Sequence, residues 1–158
     1  MGPELLGATG MLACGEDLGM VPDCVPGVMD HEKILSLRMR GMDQEGEWKY
    51  LSVCATSSHD MDTLRMQCET DPEPWEVKRM LWEYLDSPSM LAIFPLQDWV
   101  ALDKGMRRAD RMAERINEPA DSHHHWRFRL HFDVHELMGA TELCVAVEGL
   151  VKDARRAA

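Results

Sequence analysis

The chain holds 158 residues, with 17 Lys and Arg against 28 Asp and Glu, a formal charge of −11 at neutral pH, and a hydrophobic share of 45%. That is enough apolar matter for one core at single-domain length, and it excludes a disordered chain. The acidic excess argues against nucleic acid and anionic membranes as partners, because phosphate binding needs clustered cations; it does not oppose a neutral substrate such as a sugar. No apolar run approaches the roughly eighteen residues of a membrane span, and no charged-then-apolar leader opens the chain. The five cysteines, Cys14, Cys24, Cys54, Cys68 and Cys144, form no Cys-x-x-Cys pair. Their odd number argues against a disulfide framework, so they are expected as buried, reduced thiols of a cytoplasmic protein.

Met11-Leu12-Ala13-Cys14 is the first apolar run and is expected as a strand, ending at Gly15-Glu16-Asp17-Leu18-Gly19. Pro22 suits the first turn of a helix with Val25, Val28 and Met29 on one face. Ile34 to Met39 reads as a second strand, with Arg38 and Arg40 near its end. Tyr50 to Ala55 reads as a third, running into Thr56-Ser57-Ser58-His59-Asp60, and a helix is expected across Thr63 to Glu69. Asp71-Pro72-Glu73-Pro74 stops that helix and starts another, in which Val77, Met80, Leu81 and Tyr84 recur at helical spacing. Met90 to Phe94 is the fourth strand, ending at Pro95-Leu96-Gln97-Asp98. Further on, Asp133 and Glu136 have the spacing of a capping box. Thr141 opens a last helix with Leu143, Val147, Leu150 and Val151 inward.

Strands alternating with helices predict an α/β fold with right-handed crossovers and a parallel sheet. In such folds chemistry collects at the carboxyl ends of strands. Those ends carry Glu16 with Asp17, His59 with Asp60, and Gln97 with Asp98. Four strands leave both outer edges unprotected, so the sheet reads as part of a larger one. Two carboxylates at strand tips suit acid/base work on a bond held between them, one kept protonated and the other ionised. An acid at a strand end also serves as a helix cap or a solvated loop residue, and the spacing alone leaves both readings open.

Four segments carry a resemblance. Gly15-Glu16-Asp17-Leu18-Gly19 is similar to the EDLG segment of the 4-alpha-glucanotransferases of glycoside hydrolase family 77. Ser58-His59-Asp60-Met61-Asp62-Thr63-Leu64-Arg65 resembles their HD..TLR segment, and Ile93-Phe94-Pro95-Leu96-Gln97-Asp98 their PLQD. Arg115-Ile116-Asn117-Glu118-Pro119, followed by His125-Trp126-Arg127, resembles their closing signature. The wording around them resembles the disproportionating enzyme type 2 branch of plants and algae.

The resemblance implies a (β/α)8 TIM barrel that transfers glucosyl units among maltose and α-1,4-glucans by a retaining mechanism in starch and maltose metabolism. It needs no cofactor and no metal. Within it, this chain corresponds to the carboxyl-terminal half, strands five to eight, over residues 1–132, with a helical tail over 133–158. Glu16 stands where the family has its general acid/base. Asp60 stands where it has a carboxylate that holds sugar hydroxyls and steadies the transition state, at the same rim of the barrel as Glu16. His59 and Asn117 are implied as substrate-binding residues. The family nucleophile, an Asp in an Arg-x-Asp-His context upstream of the acid/base, has no counterpart here: at Asp30-His31 the place of the Arg is taken by Val28. The implied chain is therefore a fragment, inactive alone. The alternative is a non-catalytic half-barrel that binds glucan without cleaving it, and self-association through its open edges is expected in either case.

The remaining clusters read more plainly. His123, His124 and His125 are adjacent, so their rings diverge; His131 and His135 have a ligand-like spacing, but Trp126-Arg127-Phe128-Arg129 separates them from the other three. Metal binding is therefore not expected. Among the 13 methionines, Met39, Met80 and Met90 fall on core positions and read as filler. Trp126-Arg127-Phe128-Arg129 is expected as a strand-like closing segment.

Overall fold

The structure, a computed structural model, describes residues 2–39, 42, 48–124 and 126–156. Arg40 and His125, both noted above, lie outside the described residues. The chain divides into two compact units, Met1–Ala55 with Ser87–Ile93, and Thr56–Asp86 with Phe94–Ala158.

The first unit contains helix α1 (Gly2–Gly7), strand β1 (Cys14–Gly15), helix α2 (Cys24–Glu32) and strands β2 (Leu35–Met39), β3 (Ser52–Ala55) and β4 (Leu91–Ala92). The strands form one sheet in the order β1-β2-β3-β4, every pair parallel. Parallel neighbours need a crossover connection, and α2 supplies it between β1 and β2. Its turn back into the sheet is made by Lys33, which sits in the left-handed region at φ 58 and ψ 35 with its N–H on Met29 O. Ile34 N–H bonds the same carbonyl at 2.9 Å, so the direction reverses within two residues. A left-handed residue other than glycine costs about 1–2 kcal/mol, which the following strand offsets. Gly15 packs close under α2: a Cβ there would meet the terminal Met29 Cε at 2.9 Å, so a larger residue would have to push the flexible Met29 side chain aside.

Register pairs Ser36 with Ser52, Leu37 with Val53, Arg38 with Cys54 and Met39 with Ala55. β3 is buried along its whole length, as strands covered on both faces of a parallel sheet are. Ser52 Oγ lies 2.8 Å from Ser89 Oγ and 2.6 Å from Lys49 O. Two buried polar atoms of β2, Ser36 Oγ and Arg38 Nε, have no hydrogen-bond partner among the described residues. Past the end of β1 the ladder continues through a side chain: Leu37 N–H donates to Asp17 Oδ1 at 2.8 Å.

The second unit is helical. Helix α3 (Pro74–Leu85) starts at a capping box between Glu73 and Glu76 with Pro74 in its first turn, and buries Val77, Met80, Leu81, Tyr84 and Leu85. These include all four residues that the helical spacing singles out. Helix α4 (Leu96–Val100) follows Pro95; the Phe94 ring meets Tyr84 edge-on at 6.1 Å and Trp99 at a tilt at 5.1 Å between ring centres. A 3-10 turn spans Arg111–Glu114. Helix α5 (Val134–Gly139) has the expected capping box, with Glu136 N–H on Asp133 Oδ1 at 2.8 Å and Asp133 N–H on Glu136 Oε2 at 2.7 Å. Helix α6 (Thr141–Asp153) buries Leu143 and Leu150 and packs against α3.

Several expectations are corrected. The first strand is Cys14–Gly15 rather than Met11–Cys14: Met11 and Leu12 are 78% and 64% exposed and make no ladder. The short fourth strand ends at Ala92, and Leu96 to Asp98 belong to α4 rather than to a strand tip. Thr63 to Glu69 is a run of turns, not a helix. Residues 126–130 are irregular; Arg108 holds them, its guanidinium 5.5 Å from the Phe128 ring and one N–H on Arg129 O at 2.6 Å, so no ladder forms. The cysteines are free, but only Cys54 is buried, while Cys14, Cys24 and Cys144 are exposed. Among the described residues no helix is long and apolar enough to cross a membrane.

Candidate functional site

Glu16 directly follows β1 in the first unit and is exposed. The adjacent acid, Asp17, is committed to Leu37 N–H. The parallel strands put the carboxyl ends of β1 and β3 at the same end of the sheet, and Glu16 leaves from the first of these.

The other candidates lie in the second unit, on the irregular segment 56–65 and its partners. Side-chain acceptors replace main-chain ones along this segment. Asp98, fully buried on α4, accepts from Thr56 Oγ1, from Ser57 Oγ at 3.1 Å and from Leu64 N–H at 2.8 Å. Burial pushes its carboxyl above the usual carboxylate range, and the hydrogen bonds from Thr56, Leu64 and Ser57 pull the other way. Asp98 is thus an internal acceptor rather than a group offered to a ligand.

Glu114, at the end of the 3-10 turn and 3% exposed, accepts from Thr63 Oγ1 at 2.9 Å and pairs with Arg65. Arg65 is itself 1% exposed. Its Nε and Nη2 meet Asp71 Oδ1 and Oδ2 at 2.9 and 2.8 Å, a two-pronged geometry that suits guanidinium. That fork holds the Asp71 carboxyl below its ordinary range. Arg111 closes the far side, donating to the carbonyls of Arg65 (2.9 Å), Cys68 and Glu69 (3.0 Å). Within the segment Gln67 N–H still bonds Thr63 O at 3.0 Å and Cys68 N–H bonds Arg65 O at 3.3 Å, but these remain isolated turns and no regular helix forms.

Beyond this stem the chain presents the pair His59–Asp60. Asn117 Nδ2 donates to Asp60 Oδ1 at 2.7 Å, and His59 Nε2 lies 3.2 Å from Asp60 Oδ2. Trp126 lies 5.0 Å from the His59 ring at an interplanar angle of 41° and is 62% exposed. Arg115 reaches Asp62 at 2.6 Å, and His124 Nε2 lies 3.1 Å from Ile116 O. An accessible carboxylate, an amide, an imidazole and an indole face are the groups that bind a neutral polyol, by hydrogen bonds to its hydroxyls and by stacking. The structure therefore joins His59, Asp60 and Asn117. Trp126 and Arg115 were visible only as members of the closing segment, with no signal of what they would touch. Among the described residues no group of three His, Cys, Asp or Glu could hold a metal ion.

A family model described as 4-alpha-glucanotransferase (glycoside hydrolase family 77) matches residues 4–135. The chain is 34% identical over 183 aligned positions to the 4-alpha-glucanotransferase DPE2 of Oryza sativa subsp. japonica, covering 98% of this chain and 19% of that protein. It is 26% identical to the 4-alpha-glucanotransferase of Chlamydia pneumoniae over 84% of this chain and 31% of that one. The amylomaltase from Streptococcus agalactiae, solved in complex with acarbose, superposes with a TM-score of 0.70 at 13% identity, over 98% of this chain and 35% of that one. At that identity the likeness is one of fold. The chain spans between about a fifth and a third of the length of these curated relatives.

Proposed function

Because this chain belongs to the 4-alpha-glucanotransferase family, we propose that it carries the carboxyl-terminal half, strands five to eight, of a (β/α)8 barrel that moves glucosyl units between α-1,4-glucans. Residues 1–132 form the barrel part and 133–158 a helical tail. The observation that carries this reading is the meeting of His59, Asp60 and Asn117 through two distances, 2.7 and 3.2 Å. The family motifs that supply them are far apart in sequence, and the groups they bring together are hydroxyl-binding ones.

In this reading Asp60 grips hydroxyls of the sugar undergoing transfer and steadies the positive charge that develops on its ring. His59 hydrogen-bonds the same sugar, and Asn117 keeps the Asp60 carboxylate turned toward it. Glu16 protonates the leaving glycosidic oxygen and then takes the proton of the incoming hydroxyl, as one residue does in both halves of a retaining reaction. The nucleophile comes from a segment outside these 158 residues. Maltose and α-1,4-glucans are the substrates, no cofactor takes part, and the setting is cytoplasmic starch and maltose metabolism.

The test is isothermal titration of the chain with maltose and with acarbose, beside the Asp60→Asn variant. Binding that the variant weakens supports the reading; no binding of either sugar counts against it. A second reading has its own observation: no Arg-x-Asp-His segment occurs in the sequence, so the chain binds glucan without cleaving it. Glucose transfer from maltose by a polypeptide of full family length, lost on Glu16→Gln, favours the enzyme. Transfer unaffected by that change removes Glu16 from its role.

A further inference from the structure

Two segments of the second unit run in opposite directions and meet side chain to side chain. Glu114 takes Thr63 and Arg65, Arg115 takes Asp62, and Asn117 takes Asp60. Advancing from 114 to 117 retreats from 65 to 60. The register of this pairing decides whether the Asn117 amide lands on the Asp60 carboxylate, and it is set where the contacts are buried.

Of the residues in the pairing, Glu114, Thr63 and Arg65 are almost completely enclosed, whereas Asp60 is exposed. A buried carboxylate without its donors is expensive, so Glu114 does not tolerate a slip of register; the exposed Asp60–Asn117 bond alone would. Asp98 fixes the other end of the same segment, through Thr56, Ser57 and Leu64. Asp60 therefore sits three residues from an anchor on each side, Ser57 and Thr63, within roughly 10 Å of chain from both.

We infer that Glu114 and Asp98 are positioning residues that aim Asp60, Glu114 by setting the register that delivers Asn117 and Asp98 by pinning the segment's ends. The inference rests on the reading of Asp60 as the sugar-holding carboxylate. Neither acid touches substrate. Their work is to leave a solvent-facing carboxylate with one available direction, which an irregular segment cannot do by main-chain hydrogen bonding.

Thr63→Val tests it, since it removes one hydroxyl from Glu114 and keeps the side-chain shape. Thr63→Ser restores that hydroxyl. The readouts are the Asn117 side-chain amide signals and the nuclear Overhauser contact between the His59 and Trp126 rings, followed by NMR in the full chain, and maltose affinity by titration. Thr63→Val is expected to collapse the hydrogen-bonded Asn117 signal, weaken the ring contact and lower maltose affinity about fivefold to tenfold, one hydrogen bond's worth. Thr63→Ser is expected to recover all three.

A variant that melts earlier yet keeps the Asn117 signal and the ring contact overturns the inference, because Glu114 would then serve stability alone. If Thr63→Val does not fold, Asp98→Asn gives the same readouts, since its amide oxygen still accepts from Leu64 N–H. A wild-type chain that binds no maltose defeats the functional reading while the two NMR readouts still decide the positioning.

Discussion

Asn117 donates to the carboxylate of Asp60 across 2.7 Å, joining residues 57 positions apart. The bond joins an exposed Asp60 to a half-buried Asn117, where one hydrogen bond contributes only about 0.5–1.5 kcal/mol net. Its value lies in direction: it occupies Oδ1 and leaves Oδ2 to His59 and to a ligand. Asn117→Ala is expected to leave the melting temperature within about 3 °C, because so small a change in stability moves the midpoint little at this chain length. It should weaken maltose binding severalfold. A calorimetric scan beside a titration separates the two, and a large drop in midpoint with affinity intact would count against the role given to Asn117.

Arg65 offers the opposite case. It is almost wholly enclosed, with Asp71 and Glu114 as counter-charges. Arg65→Met removes the cation and strands the buried Glu114, a loss expected at about 3–5 kcal/mol. At this length that corresponds to roughly 10 °C or more in the midpoint. Urea melts of the two proteins check it, and an unchanged midpoint would show that Glu114 finds another donor.

The two shifted acids predict opposite pH dependences. Asp71 titrates below its ordinary value because Arg65 bonds its charged form. Its contribution is present above the unfolded pKa and is lost as the pH falls through the lower folded one. Asp98 titrates above its ordinary value because it is buried, so the native state holds its proton more tightly than the unfolded chain and stability falls as pH rises through that window. Asp71→Asn should therefore flatten the loss of stability in acid, and Asp98→Asn should steepen it. Urea midpoints between pH 3 and 7 read both slopes, and equal slopes in wild type and variants would refute the assignment.

Arg38 Nε is buried on β2 without a partner among the described residues. Replacing Arg38 with Met is expected to raise stability by roughly 1–3 kcal/mol, the cost of a buried polar group left unpaired. A fall in the urea midpoint would reveal an anionic neighbour for this guanidinium.

On the proposed reading, the 158 residues alone are expected to transfer no glucose from maltose to glycogen above background, since no Arg-x-Asp-His segment occurs among them. Release of free glucose at an appreciable rate would mean that another Asp had been recruited. Size-exclusion chromatography should also show self-association, because β1 and β4 are the outer strands of the sheet among the described residues and an outer strand offers unpaired main-chain groups. A sharp monomer peak would argue against edge pairing.

What could be read from sequence follows the range of the forces involved. The α3 face at Val77, Met80, Leu81 and Tyr84 and the Asp133–Glu136 cap were legible because each needs only neighbours three or four residues away. The irregular 63–69 segment was not, since the side chains that hold it, Asp98, Glu114 and Arg111, all lie more than thirty positions off. Asp98 shows the same limit. Its motif was visible, but three donors drawn from residues 56, 57 and 64 turn it from a rim acid into an interior one. His59, Asp60 and Asn117 were recognisable one motif at a time, and only the fold brings them within bonding distance.

The two acids after β1 are not equivalent in what they allow the chain to become. Asp17 closes the ladder by lending its carboxylate to Leu37 N–H, so the backbone beyond it departs from the sheet while that main-chain donor of β2 stays paired. Insertions placed after Asp17 can lengthen or reroute that loop without unpairing the strand. Insertions between Gly15 and Asp17 would pull the carboxylate away and expose the edge. The boundary between what may drift in length and what must be kept runs immediately after Asp17, leaving Glu16 on the side that holds still.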